Sequence, residues 1–138
     1  MLSRDQYPNI LVVDDEPFIV RYVQQVLQRA NYRVLTATNA EEAWSIFVYR
    51  RVKIGLLLTD IVMPGPMDGL ELAAKIRKTE PTLPILFMTG GIPGSDPRSV
   101  EITEEGLLLR KPFLPKQLLD FVGARLGGVS HGSKSELS

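Results

Sequence analysis

The stretch Asn9-Ile10-Leu11-Val12-Val13-Asp14-Asp15-Glu16-Pro17 decides the fold. Asn9 to Val13 is almost wholly apolar and reads as a strand. A strand without polar alternation is covered on both faces, as in a parallel sheet. Two adjacent carboxylates end it. Pro17, tolerated in the first turn of a helix, then opens a segment in which Phe18, Ile19, Tyr22, Val23, Val26 and Leu27 recur at helical spacing. Asn31 suits the end of that helix.

Working outward, four more strand-helix pairs follow. Tyr32 to Thr36 reads as a second strand, and Asn39 with Glu42 resembles a capping box for the helix carrying Ala43, Trp44, Ile46 and Phe47. Ile54 to Leu58 is a third strand and the most apolar. Asp68 is the expected N-cap of a helix reaching Lys78, which Pro81 stops. Leu83 to Met88 is a fourth strand. Gly90, Gly91, Pro93, Gly94 and Pro97 crowd the next segment, so only a short helix is expected, from Pro97 to Glu104 with Asp96 as cap. Leu107 to Leu109 is a short fifth strand near an edge. Pro115 opens the last helix, with Leu118, Leu119, Phe121, Val122 and Leu126 as apolar positions.

Strand-helix alternation throughout implies an α/β fold: a doubly wound parallel sheet with helices on both faces. Residues 1–8 read as an N-terminal extension, 9–126 as one folded domain, and 127–138 as a flexible Gly/Ser-rich tail. The lone histidine, His131, falls in that tail and is expected to be solvated.

Composition narrows the function. The 138 residues suit one domain. Absence of cysteine excludes disulfides and thiolate metal sites. Acidic and basic residues balance at 16 each, so no general attraction to nucleic acid or anionic membrane is expected. No apolar run approaches the roughly 20 residues of a membrane span. The first residues lack the core of a signal peptide. A soluble cytoplasmic protein is the default expectation.

The polar residues then gather at one edge. Asp14 and Asp15 end the first strand, Asp60 the third and Thr89 the fourth, and Lys111 follows the fifth. Chemistry in such sheets collects at the carboxyl ends of the strands. If strands one and three are neighbours, their ends lie about 5 Å apart. Three close carboxylates repel one another unless a cation intervenes. A hard divalent ion suits an all-oxygen set, Mg²⁺ first with Mn²⁺ as a substitute, and no His or Cys cluster invites zinc. One carboxylate can then act as a nucleophile toward phosphorus, with Lys111 and Thr89 facing the phosphoryl oxygens. Taken singly, an aspartate after a strand is ordinarily a turn former or cap. A Lys-Pro pair or a Thr before two glycines is ordinarily a loop. Their common placement at successive strand ends is what carries the reading.

In order and spacing, Leu11-Val12-Val13-Asp14-Asp15-Glu16, Leu57-Leu58-Thr59-Asp60, Met63-Pro64, Met67-Asp68-Gly69, Leu86-Phe87-Met88-Thr89 and Lys111-Pro112-Phe113 resemble the receiver domain of two-component response regulators. The resemblance covers about Asn9 to Leu126. It implies a five-stranded, flavodoxin-like, CheY-like sheet of order 2-1-3-4-5. It further implies Asp60 as phosphoacceptor, and Asp15 as direct metal ligand with Asp14 acting through metal-bound water. The Val62 backbone carbonyl would be a further ligand. Thr89 would be the switch hydroxyl and Lys111 the phosphoryl contact, with a cis Lys111-Pro112 bond. The implied partners are a histidine kinase or histidine phosphotransfer protein as donor and an output protein of unknown identity. The implied behaviour is a self-phosphorylating, self-dephosphorylating switch in a phosphorelay rather than a turnover enzyme.

Four departures stand out. The loop from Met63 to Gly69 carries one residue more than the family's usual spacing. Leu108 stands where an aromatic is common. Gly90-Gly91 follows Thr89 where alanine is common, and the Gly/Pro segment shortens the fourth helix. From these, the loop from Gly90 to Ser95 is expected to be mobile and to carry output in place of an aromatic at 108. A stand-alone receiver and the C-terminal receiver of a hybrid histidine kinase both fit. An aspartyl-nucleophile phosphohydrolase would place a second Asp where Val62 stands. A scaffold pseudo-receiver would not need the full set of Asp14, Asp15, Asp60, Thr89 and Lys111.

Overall fold

Five parallel strands form one sheet in the computed structural model, which describes residues 9–49, 53–91 and 95–126. The strands are β1 (Asn9–Val13), β2 (Arg33–Ala37), β3 (Ile54–Asp60), β4 (Ile85–Thr89) and β5 (Leu108–Arg110), in the spatial order β2-β1-β3-β4-β5. The helices are α1 (Pro17–Arg29), α2 (Ala40–Tyr49), α3 (Gly69–Thr79), α4 (Val100–Glu104) and α5 (Pro115–Leu126). A 3-10 turn, Pro97–Ser99, leads into α4. The expected doubly wound sheet is therefore the observed one. The expected extension 1–8, the tail 127–138 and the centre of the loop 90–95 lie outside the described residues.

Side chains of successive strand residues face opposite ways, and here both sides are apolar. Ile10 and Val12 of β1 join Leu56, Leu58, Leu86 and Met88 in a core closed by α1 and α5 through Val23, Leu27, Leu118 and Val122. Leu11 and Val13 join Leu57, Ile85 and Phe87 in a second core closed by α2 and α3 through Ala40, Ala43, Leu72 and Ile76. Ile102 of α4 packs against both, at the β5 edge.

Element boundaries moved by one or two residues where the backbone had a better partner. The expected second strand began at Tyr32. Instead the Tyr32 amide donates to Leu27 O, and its ring is wholly buried beyond α1. Asn31 supplies the left-handed turn there, at φ 72°. The fourth strand starts after Pro84, which has no N–H for the ladder. The fifth starts after Leu107, whose amide is taken by Ile102 O. The third runs on to Asp60 itself.

The caps also exchanged roles. Asp68 and Glu71 form a full reciprocal capping box on α3. At α2, Asn39 accepts from the Glu42 amide at 2.7 Å, but the Glu42 carboxylate turns to Thr38 N rather than to Asn39.

Candidate functional site

Parallel pairing of β1 with both β2 and β3 puts Val13 beside Thr59 and hence Asp14, Asp15 and Asp60 at one rim. Each of the three offers a carboxylate oxygen within 4.8 Å of the others. Asp14 is wholly buried and Asp60 nearly so, while Asp15 is exposed. The Asp60 backbone is held firmly. Ile61 N donates to Met88 O, and Gly69 N donates to Ile61 O. A Cβ at Gly69 would lie 1.9 Å from Asp60 O, so α3 can press on the end of β3 only because residue 69 has no side chain.

Lys111 reaches the same rim from the end of β5. Its Nζ lies 2.7 Å from Asp14 Oδ2, 3.1 Å from Glu16 Oε1 and 3.6 Å from Asp60 Oδ2. Its amide donates to Thr89 O at 2.7 Å, and the Lys111-Pro112 bond is cis, as expected. The Thr89 hydroxyl accepts from Gly91 N at 3.1 Å, which leaves its own hydrogen available to a ligand. Val62 stands two residues beyond Asp60 with its side chain in solvent. A cleft of about 520 Å³ joins Asp60, Thr89, Gly91, Asp96, Leu108 and Lys111.

Burial raises the Asp60 carboxyl to about 7, the Asp14 charge adds to the rise, and Lys111 opposes it. Asp14 is also raised by burial, against the pull of Lys111. Lys111 pays for its own burial, yet Asp14 and Asp60 hold its proton above the ordinary lysine value.

The donor set suits a hard divalent cation. All the groups are oxygens. Asp14 Oδ2 is buried and, although Lys111 Nζ is close, no donor points along its lone pairs. An oxygen in that condition gains from a further cation or its water.

Residues 10–122 match the family of the response regulator receiver domain. The chain belongs to that family. Among curated relatives, the transcriptional regulatory protein ResD of Bacillus subtilis is 36% identical over 126 residues, covering 90% of this chain and 50% of its own length. The phosphate regulon transcriptional regulatory protein PhoB of Pseudomonas aeruginosa is 35% identical over 124 residues, covering 87% and 50%. The chain thus spans about half or less of the length of the curated relatives it matches. A CheY-like receiver domain protein from Methanospirillum hungatei superposes with a TM-score of 0.77 at 29% identity, covering 90% of this chain and 97% of that one.

All five residues singled out for their side chains converge in this receiver. Two contacts were not legible beforehand. Glu16 touches Lys111 across 95 positions, and Arg98 joins Asp68 to Asp96. Neither residue follows a spacing rule. In the loop after Val62, Gly65 has a φ of 106°, which few side-chain-bearing residues adopt.

Proposed function

We propose that this receiver is a phosphoacceptor switch in which Asp60 takes a phosphoryl group from the phosphohistidine of a histidine kinase or histidine phosphotransfer protein. The observation that carries this is the meeting of Asp14, Asp15 and Asp60 within 4.8 Å, with Lys111 beside them. In the transfer, an Asp60 carboxylate oxygen attacks phosphorus. The P–O bond forms as the donor's P–N bond breaks, and the imidazole leaves with a proton. Hydrolysis later returns the carboxylate and inorganic phosphate.

Each residue has a task. Asp14, Asp15, Asp60 and the Val62 carbonyl would hold Mg²⁺ or Mn²⁺. When bound, that ion neutralises carboxylate and phosphoryl charge alike. Lys111 offers an ammonium to a phosphoryl oxygen. Thr89 offers its hydroxyl hydrogen to another, while its oxygen keeps the bond from Gly91 N. A new bond at Thr89 is thereby felt by the segment leading to α4. Output passes by protein–protein contact, in a cytoplasmic setting. ResD and PhoB are transcriptional regulators twice as long as the matched span. Any nucleic-acid contact in such an assembly would belong to a part other than the receiver, whose charge is balanced.

Intact-mass spectrometry after incubation with Mg²⁺ and acetyl phosphate tests the reading. One added phosphoryl group, absent in Asp60→Ala and without metal, is expected. Failure to gain it from acetyl phosphate and from a phosphorylated histidine donor alike would overturn the reading.

A further inference from the structure

Resting on that reading, we propose that Glu16 is a positioning residue for Lys111, one that holds the ammonium at the mouth of the site and competes for it with a phosphoryl group on Asp60. Glu16 is the N-cap residue of α1, yet its side chain caps nothing there. It turns instead to Lys111, with Oε1 3.1 Å from Nζ. Its amide meanwhile donates to Asp14 Oδ1 at 2.9 Å. The same residue therefore fixes both Asp14 and the cation paired with Asp14.

An ammonium has three hydrogens. Here three carboxylates surround it, and Asp60 is the most distant at 3.6 Å. The Nζ is hydrogen-bonded to Glu16 but stands 3.6 Å from Asp60, so a phosphoryl oxygen on Asp60 has to draw the ammonium from the place where Glu16 holds it. Asp14 is buried and cannot retreat. Glu16 is 61% exposed and can swing into water at small cost. Glu16 is thus the carboxylate that yields. Its charge favours the resting arrangement of Lys111 over the phosphorylated one.

The test uses Mg²⁺ with beryllofluoride, an acyl-phosphate mimic, followed by the amide shifts of Thr89 and Gly91. Glu16→Gln is expected to bind beryllofluoride about two- to fivefold more tightly, the range of one exposed ion pair. Glu41→Gln removes an equal charge beside Asp15 without touching Lys111, and is expected to leave the affinity unchanged. A urea double-mutant cycle of Glu16→Gln with Lys111→Met is expected to show coupling in the free protein. Unchanged or weaker binding by Glu16→Gln, an equal gain in Glu41→Gln, or zero coupling would overturn the inference. If the unmodified receiver binds no beryllofluoride, the phosphoacceptor reading itself fails and takes this inference with it.

Discussion

Burial, the Asp14 charge and the opposing Lys111 leave the Asp60 carboxyl at about 7. An unfolded aspartate titrates near 3.9. The folded state therefore holds this proton more tightly than the unfolded one. The stability this adds is complete below about pH 4 and is lost as pH rises through about 7. Above that, the protein folds around a charge it disfavours. Asp60→Asn keeps the shape and drops the charge. In EDTA at pH 8 it is expected to be more stable than the parent by about 1–3 kcal/mol, and at pH 4 to be equal to it. Urea melts at the two pH values decide this. A destabilised variant at pH 8 would mean that Lys111, not Asp14, dominates the Asp60 environment. The place of Asp60 beside Asp14 and Asp15 was legible in the sequence because it rests on position at a strand end. Its energetic condition was not, since that depends on how deeply β1 and β3 bury it.

The least regular element is the run from the 3-10 turn at Pro97 through α4. The sequence showed its brevity, because prolines and glycines leave few residues able to sustain a helix, and Asp96 does cap it through Arg98 N. What ties it down was not visible. Arg98 Nη2 lies 2.8 Å from Asp96 Oδ2 and 2.8 Å from Asp68 Oδ2, so one guanidinium joins this run to the cap of α3. Half-exposed pairs of this kind contribute little to global stability, about 0–1 kcal/mol. Their effect is local. Arg98→Gln is expected to shift the urea midpoint only slightly. It is expected to speed amide exchange severalfold across 97–104 while leaving β3 unchanged. Equal exchange in both proteins would show that Ile102 packing alone holds the run. The capping boxes teach the same lesson. The Asp68–Glu71 pair closed fully, whereas the Asn39–Glu42 pair closed by half because Thr38 offered Glu42 a nearer amide.

For the molecule as a whole, the parallel sheet and both covering layers followed from apolar strands alternating with amphipathic helices, while the strand order came from the receiver resemblance. The differences fell at strand ends, at the Asn39–Glu42 cap and at the 3-10 start of the fourth helix, where single hydrogen bonds decide membership. Two cores on opposite faces imply two separable contributions. Leu27→Ala opens the α1 side and Leu72→Ala the α3 side, both from fully buried positions. Each is expected to cost about 2–5 kcal/mol. Their costs should add within about 0.5 kcal/mol in the double variant. A strong departure from additivity would mean the sheet transmits repacking from face to face. One asymmetry remains. Three of the site's groups stand at the ends of β1 and β3 in the middle of the sheet, but its cation hangs from β5, a three-residue strand at the margin with a single neighbour. Margins open first. Gentle warming is therefore expected to loosen the end of β5, and Lys111 with it, while the interior is still intact, which faster amide exchange at 108–111 than in β1 and β3 checks. On the phosphoacceptor reading, a molecule able to respond is then one whose whole sheet is closed.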